Sequence, residues 1–194
     1  IKKLSDRQVG IGFDKALMIE PPKSPDKDFY FRIFNADGSE AEQCGNGTRC
    51  AASYLLEKQL TKKETVTWQS LGGDFTTSYR SENEIQTNIQ LDKSTPETHS
   101  LELQALGKCF EVHNISIGNP HTVTFVENIL TVDVNTIGPA ISNLDSFPNG
   151  VNVGFCQNVD SGFIRLRLFE RGVGETQACG TGACAVAVAA HLKG

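Results

Sequence analysis

Apolar and polar residues alternate in two well-separated stretches of the chain. Phe29, Phe31 and Ile33 are interleaved with Tyr30 and Arg32, and Ile164, Leu166 and Leu168 with Arg165 and Arg167. A period of two predicts half-buried strands. Each stretch runs on into a polar loop, a Cys-Gly-x-Gly turn and a compact apolar helical segment, CAASYLLEKQ from Cys50 and ACAVAVAAHLK from Ala183. The second segment is apolar nearly all round, which predicts a helix buried on every side.

The two stretches are copies. RIFNADGSEAEQCGNG (Arg32 to Gly47) aligns without gaps on RLFERGVGETQACGTG (Arg167 to Gly182), pairing Arg32 with Arg167, Phe34 with Phe169, Glu40 with Glu175, Cys44 with Cys179, Gly45 with Gly180 and Gly47 with Gly182. Such internal similarity predicts two like-folded domains. Between the copies lie short segments of β character, at 64–69, 74–79, 84–91, 109–116 and 122–126, separated by Gly, Asn, Asp and Pro turns. LDKSTPETHS (Leu91 to Ser100) is polar, carries a Pro and shows no periodicity, so the boundary is placed there, with domains over 1–93 and 97–194. Many short strands, few helices and no alternating βαβ pattern predict an α+β fold: two pseudo-symmetric domains, each a mainly antiparallel curved sheet around a buried helix.

Composition narrows the partners. The 194 residues carry 18 Lys+Arg against 23 Asp+Glu, a formal charge of −5, with no basic run to hold nucleic acid or an anionic membrane. No apolar run approaches the roughly 20 residues of a membrane span. A small-molecule partner is expected. The chain opens on Ile1 and stops at Gly194 directly after an apolar helical pattern, which reads as a piece of a longer protein, and what remains shows no targeting segment. Six cysteines are too sparse for a disulfide scaffold, and a reducing, cytoplasmic setting is expected. Cys50, Cys109, Cys156 and Cys184 are read as packing residues.

The repeated Cys-Gly-x-Gly carries the chemistry. A helix that starts there offers unpaired N–H groups and a partial positive charge, which suits a carboxylate and favours thiolate over thiol. One such cysteine suggests a nucleophile. Two, related by pseudo-symmetry, suggest opposite walls of a cleft in which one sulfur removes a Cα proton and the other returns a proton to the far face of the planar carbanion. Three other readings compete. A structural disulfide fits poorly with a reducing setting and Gly-rich flanks. A zinc site fits poorly with Cys-x5-Cys and Cys-x4-Cys spacings, so no metal is expected, and a phosphate loop lacks the nucleotide fingerprint.

NADGSEAEQCGNGTRC (Asn35 to Cys50), GNPH (Gly118 to His121), VNVGF (Val151 to Phe155) and FERGVGETQACGTGAC (Phe169 to Cys184) together resemble the diaminopimelate epimerases, in order and over nearly the whole chain. The resemblance implies conversion of LL-diaminopimelate to the meso form without pyridoxal phosphate or another cofactor, on the way to lysine and cell wall, by two domains that each form a barrel around a helix. It implies a homodimer. It also assigns residues: Cys44 and Cys179 as the catalytic pair, and Gly45, Asn46, Gly180 and Thr181 as backbone donors to the reacting carboxylate. Asn35, Asn119, Asn152 and Arg171 bind the distal amino-acid end, and Glu170 and His121 assist catalysis. His99, His113 and His191 fall in no such motif and are read as structural.

Two departures are visible. Lys15 in GFDKAL stands where the family usually has Gln, which places a cation beside the distal end of the substrate. The family's N-terminal strand with its HGLGNDF motif would precede Ile1, and its last strands, with their dimer contact, would follow Gly194. A related two-base racemase acting on a proline-like substrate, and a non-catalytic binding protein on the same fold, are the alternatives. The Glu170-Arg171 pair and the Asn set fit a substrate with a second polar end better than they fit proline.

Overall fold

The computed structural model describes residues 1–81, 84–89, 97–103 and 107–194. Contacts divide the chain into two compact units, Ile1–Leu91 and Asp92–Gly194. The first part of the polar segment expected to separate the domains, residues 91–96, lies outside the described residues; its last part, from Glu97, already belongs to a strand.

In the first unit, a short helix α1 (Lys2–Ser5) precedes β1 (Lys15–Glu20), β2 (Phe29–Asn35), β3 (Glu40–Ala41), helix α2 (Gly45–Glu57) and then β4 (Thr65–Ser70), β5 (Gly73–Ser81) and β6 (Glu84–Ile89). The sheet runs β1-β2-β4-β5-β6, with β3 beside β2. Alternation along the strands puts Phe31, Ile33, Val66, Trp68 and Phe75 on one face, where they pack on Ala51, Ala52 and Leu55 of α2. Trp68 stacks on Phe75 at 5.7 Å and meets Phe31 edge-on, and its indole N–H donates to Thr77 at 2.8 Å, so the one polar atom of the buried ring is satisfied. The Tyr79 hydroxyl donates to the Ala52 carbonyl and Thr48 bonds Thr87, which tie α2 to β5 and β6.

The second unit runs β7 (Glu97–Leu103), β8 (Lys108–Ser116), β9 (Pro120–Phe125), a 3-10 turn at Ile129–Thr131, helix α3 (Val134–Ser142), β10 (Asn152–Asp160), β11 (Phe163–Glu170), β12 (Gly174–Thr176) and helix α4 (Gly180–Lys193), with the strands side by side in the order β12-β11-β10-β9-β8-β7. Its core joins α3 to β10 through Val134, Ile137, Ile141, Val151, Val153 and Phe155. Helix α3 fits against β11 only because residue 138 is glycine: a Cβ there would stand 2.6 Å from the Phe169 ring.

The fold is α+β, as the pattern predicts, and most strand pairs are antiparallel. The absence of βαβ units is corrected. β2 pairs parallel with β4 across α2, and β9 pairs parallel with β10 across α3, because parallel neighbours need a crossover long enough to carry a helix. The helix predicted to be buried on every side is also corrected. Ala183, Cys184, Ala187 and Leu192 of α4 are exposed, while Thr181, Gly182, Ala185, Val186 and Ala189 are buried. The packing role of the minor cysteines fails with it for Cys50, Cys109 and Cys184, which are exposed, and holds for Cys156, whose thiol burial pushes up to about 11. Both Cys50 and Cys184 lie on outer faces of helices whose inner faces supply the core. Among the described residues no helix is long and apolar enough to cross a membrane.

Candidate active site

Each copy of the motif starts a helix in the same way. Cys44 caps α2 in an extended conformation, and its sulfur accepts the Gly47 N–H at 3.3 Å; Cys179 caps α4, and its sulfur accepts the Gly182 N–H at 3.4 Å. A thiol here does what a Ser or Asp side chain does at an ordinary helix start, taking one of the four unpaired N–H groups. The second glycine of each motif is the one that space requires. A Cβ at Gly47 would meet Leu17 and the Cys44 sulfur at 3.0 and 3.1 Å, and one at Gly182 would meet Leu168 at 2.6 Å. Cys44 and Cys179 are both half-buried.

In the second unit the sulfur lies in a connected polar group. The Thr181 hydroxyl oxygen stands 3.5 Å from the Cys179 sulfur, 3.1 Å from His121 Nε2 and 3.4 Å from Asn119 Nδ2, and Asn119 Oδ1 stands 3.1 Å from the same ring nitrogen. His121 is 2% exposed. Burial, with the positive charge of Arg171 second, pushes its pKa down to about 4, so the ring is neutral at ordinary pH. It lines a cavity of about 270 Å³ with Asn114, Ser116, Pro120, Phe147 and Val151.

Arg171 is held beside this group from several directions. Its N–H donates to Asn152 Oδ1 at 3.0 Å, its guanidinium donates to the Asn149 carbonyl at 3.0 Å, and its stem covers Gly150, where a Cβ would come within 2.8 Å of Arg171 Cδ. Asn152 also donates from Nδ2 to the Pro120 carbonyl. Both ends of that amide therefore join the Arg171 turn to the GNPH turn. Glu170 accepts the Thr176 hydroxyl at 2.6 Å.

In the first unit, Asn35 ends β2 and is 7% exposed. Its Nδ2 donates to Ser39, and its Oδ1 accepts Lys15 Nζ at 2.8 Å. The departure at residue 15 thus acts directly on a residue expected to bind substrate. Asn46, by contrast, turns its side chain to Arg49 on the helix surface, which leaves only its backbone for the role expected of it. The second unit therefore brings together Cys179, Thr181, His121, Asn119, Asn152 and Arg171, while the first carries Cys44, Asn46 and Asn35. Thr176 escaped the sequence reading: the only signal for it is its place three residues before the cysteine, where the other copy has Ala41.

The family model for diaminopimelate epimerase matches residues 1–95 and 113–194. Curated diaminopimelate epimerases from Acinetobacter baylyi and Pseudomonas syringae are each 46% identical to the chain, over 205 and 202 residues, covering all of this chain and 73% of the relative. Among solved structures, a hydroxyproline epimerase from Agrobacterium vitis superposes with a TM-score of 0.71 at 15% identity over 99% of this chain and 64% of its own, and a Bacillus anthracis phenazine biosynthesis protein of the PhzF family with 0.62 at 20% over 91% and 65%. The chain spans just under two thirds of those two proteins, and at such identity the likeness is one of fold.

Proposed function

The chain belongs to the diaminopimelate epimerase family, and from that premise we propose how its own residues carry the reaction. The enzyme is an isomerase that interconverts LL- and meso-diaminopimelate without pyridoxal phosphate, in lysine biosynthesis. The observation that carries the mechanism is the duplicated cap, a cysteine sulfur at the start of a helix in each unit. One sulfur, as thiolate, takes the Cα proton, and the other, as thiol, protonates the planar carbanion from the opposite side. The N–H groups of Gly45, Asn46, Gly180 and Thr181 take up the charge that spreads into the substrate carboxylate during that step.

The distal amino-acid end is held by Arg171, Asn35 and Asn119, with Asn152 fixing the turn that carries Arg171. Arg offers a fork to a carboxylate, and an amide both donates and accepts. Lys15 adds a positive charge on Asn35, which strengthens the hold on a distal carboxylate. Neutral His121 and the carboxyl group of Glu170 support proton transfer. The working form is a cytoplasmic homodimer.

Two measurements test the reading. Exchange of the Cα hydrogen of LL-diaminopimelate with solvent deuterium should proceed without added cofactor and survive dialysis against a chelator; dependence on metal refutes the two-thiol mechanism. Proline, lacking the distal end, should exchange very slowly, because it leaves buried charged groups unpaired at about 1 to 3 kcal/mol or more each. Comparable proline turnover would move the assignment to the racemase alternative.

A further inference from the structure

We propose that the side chain of Thr181 is a positioning donor: its hydroxyl directs its proton at the Cys179 sulfur because Asn119 and His121 occupy its acceptor side. The inference rests on Cys179 being one of the two proton-transferring groups, and it adds a side-chain role to a residue otherwise used through its backbone.

The argument is one of donor and acceptor capacity. Thr181 is 1% exposed, and its hydroxyl has one proton and two lone pairs. Asn119 Nδ2 faces the Thr181 oxygen and can only donate. Asn119 Oδ1 faces His121 Nε2 and can only accept, so the proton of the neutral ring sits on Nε2, which then also points a hydrogen at the Thr181 oxygen 3.1 Å away. Two donors therefore meet the two lone pairs. The Thr181 proton is left to the third neighbour, the Cys179 sulfur at 3.5 Å, which already receives the Gly182 N–H.

A sulfur that gains an O–H as well as a backbone N–H is better stabilised as thiolate and is held at a fixed point above the helix start. The titratable or charged groups on strands β8 to β11 and directly after β11 include Glu111, His113, His121, Cys156, Arg165, Arg167, Glu170 and Arg171; of these His121 is the one within hydrogen-bond distance of the Thr181 hydroxyl, and it sets the donor arrangement. The other copy places Asn46 at the matching position, and that side chain is turned towards Arg49. The hydroxyl thus gives the two cysteines different surroundings within otherwise matched caps.

The test follows alkylation of Cys179 by iodoacetamide against pH in the intact protein, read by mass spectrometry of the Cys179 peptide, in the wild type, Thr181→Val and Thr181→Ser. The valine variant should move the half-maximal pH up by about one unit, as loss of a hydrogen bond to an ionised group does, and serine should restore it. Turnover should fall about tenfold in the valine variant with KM unchanged, because the backbone N–H at residue 181 remains. If the valine protein does not fold, Thr181→Ala gives the same readings. An unmoved midpoint overturns the inference, and a midpoint that falls shows the hydroxyl accepting from the thiol instead. Cys179→Ala separates the two levels: epimerisation that survives it refutes the two-base reading itself, whereas its loss together with an unmoved Thr181→Val midpoint refutes only the role of Thr181.

Discussion

Helices α2 and α4 begin with the same motif and bury faces that coincide only in part. Thr48 and Ala52 of α2 are fully buried beneath β6 and β5, while the residues that the repeat aligns with them, Ala183 and Ala187, are exposed on α4. Helix α4 instead turns Ala185 and Ala189 inward, in a unit where it packs on β8, β9 and β10. Strands β1, β2, β5 and β6 pack on α2, and β8 to β11 pack on α4. The cap is nevertheless the same in both, with the sulfur on the N–H three residues on at 3.3 and 3.4 Å. What the repeat preserves is the start of the helix.

That comparison makes its strongest claim about the two sulfurs. If both caps serve one reaction, Cys44→Ala and Cys179→Ala should each lower the rate of epimerisation by about 10³-fold or more, since each removes one of the two proton-transfer groups. Ser replacements retain a weaker group and should keep more activity. Assays of both variants with LL- and meso-diaminopimelate decide the matter, and full activity in either alanine variant would end the symmetry argument.

The cores of the two units are unlike, and the next effect comes from there. The first unit is centred on the Phe31-Trp68-Phe75 aromatic group, the second on aliphatic residues of α3 and β10 around Phe155. Trp68→Ala and Phe155→Ala should each cost about 3 to 5 kcal/mol. The loss should be local. Amide hydrogen exchange should show protection falling in residues 1–81 for the first variant and in 107–194 for the second. A uniform loss across the chain in both would mean that the units unfold as one.

Residues 1–91 contain no histidine, and the titration of His121 is a third way to set the units apart. Its pKa of about 4 in the folded protein lies below the ordinary histidine value of 6.5. Between those two values the unfolded chain binds a proton that the folded one refuses, so stability rises with pH there, and is lost as the pH falls from about 6.5 to 4. The loss is on the order of 3 kcal/mol. Denaturant unfolding at pH 7 and pH 5 should show about 2 kcal/mol of it in the second unit, and His121→Gln should flatten that dependence. An equal slope in the variant would place the acid sensitivity elsewhere.

The sequence made some of this legible because the signals were local. Strand alternation at 29–33 and 164–168, the caps and the repeat itself are all read from neighbours in the chain. The α+β class followed from them. What was not legible depends on partners distant in sequence. Helix α3 hides in VNTIGPAIS, where Gly138 and Pro139 argue against a helix, yet Gly138 is what lets the helix sit on Phe169. The period of α4 shows apolar residues on every side and cannot say which side a strand will cover. Asn152 and Thr181 carry motif signals, but the use of the one to join two turns and of the other's hydroxyl beside a sulfur appears only when His121, Asn119 and Arg171 come within reach.

The smallest effect sharpens the comparison at its most conserved-looking point within the chain. Arg32 forks onto Glu40 at 2.8 and 2.9 Å, and Arg167 onto Glu175 at 2.6 and 2.9 Å, so the repeat's paired Arg and Glu make the same bidentate contact in both units. All four side chains are about 30% exposed, where such a pair adds little to stability. The two arginines differ in what else they hold. Arg167 also donates to the Ile129 and Val132 carbonyls at 3.2 and 2.7 Å, pinning the 3-10 turn that leads into α3, whereas Arg32 reaches Glu20 at 3.5 Å and lies over the Phe34 ring. Arg32→Ala should therefore leave the unfolding temperature near that of the wild type. Arg167→Ala leaves two carbonyls without that donor and should lower the temperature by about 2 to 4 °C, with the loss of amide protection centred on 129–142. Equal shifts in the two variants would show that the fork itself, and not the carbonyl contacts, is what the second unit draws from its arginine.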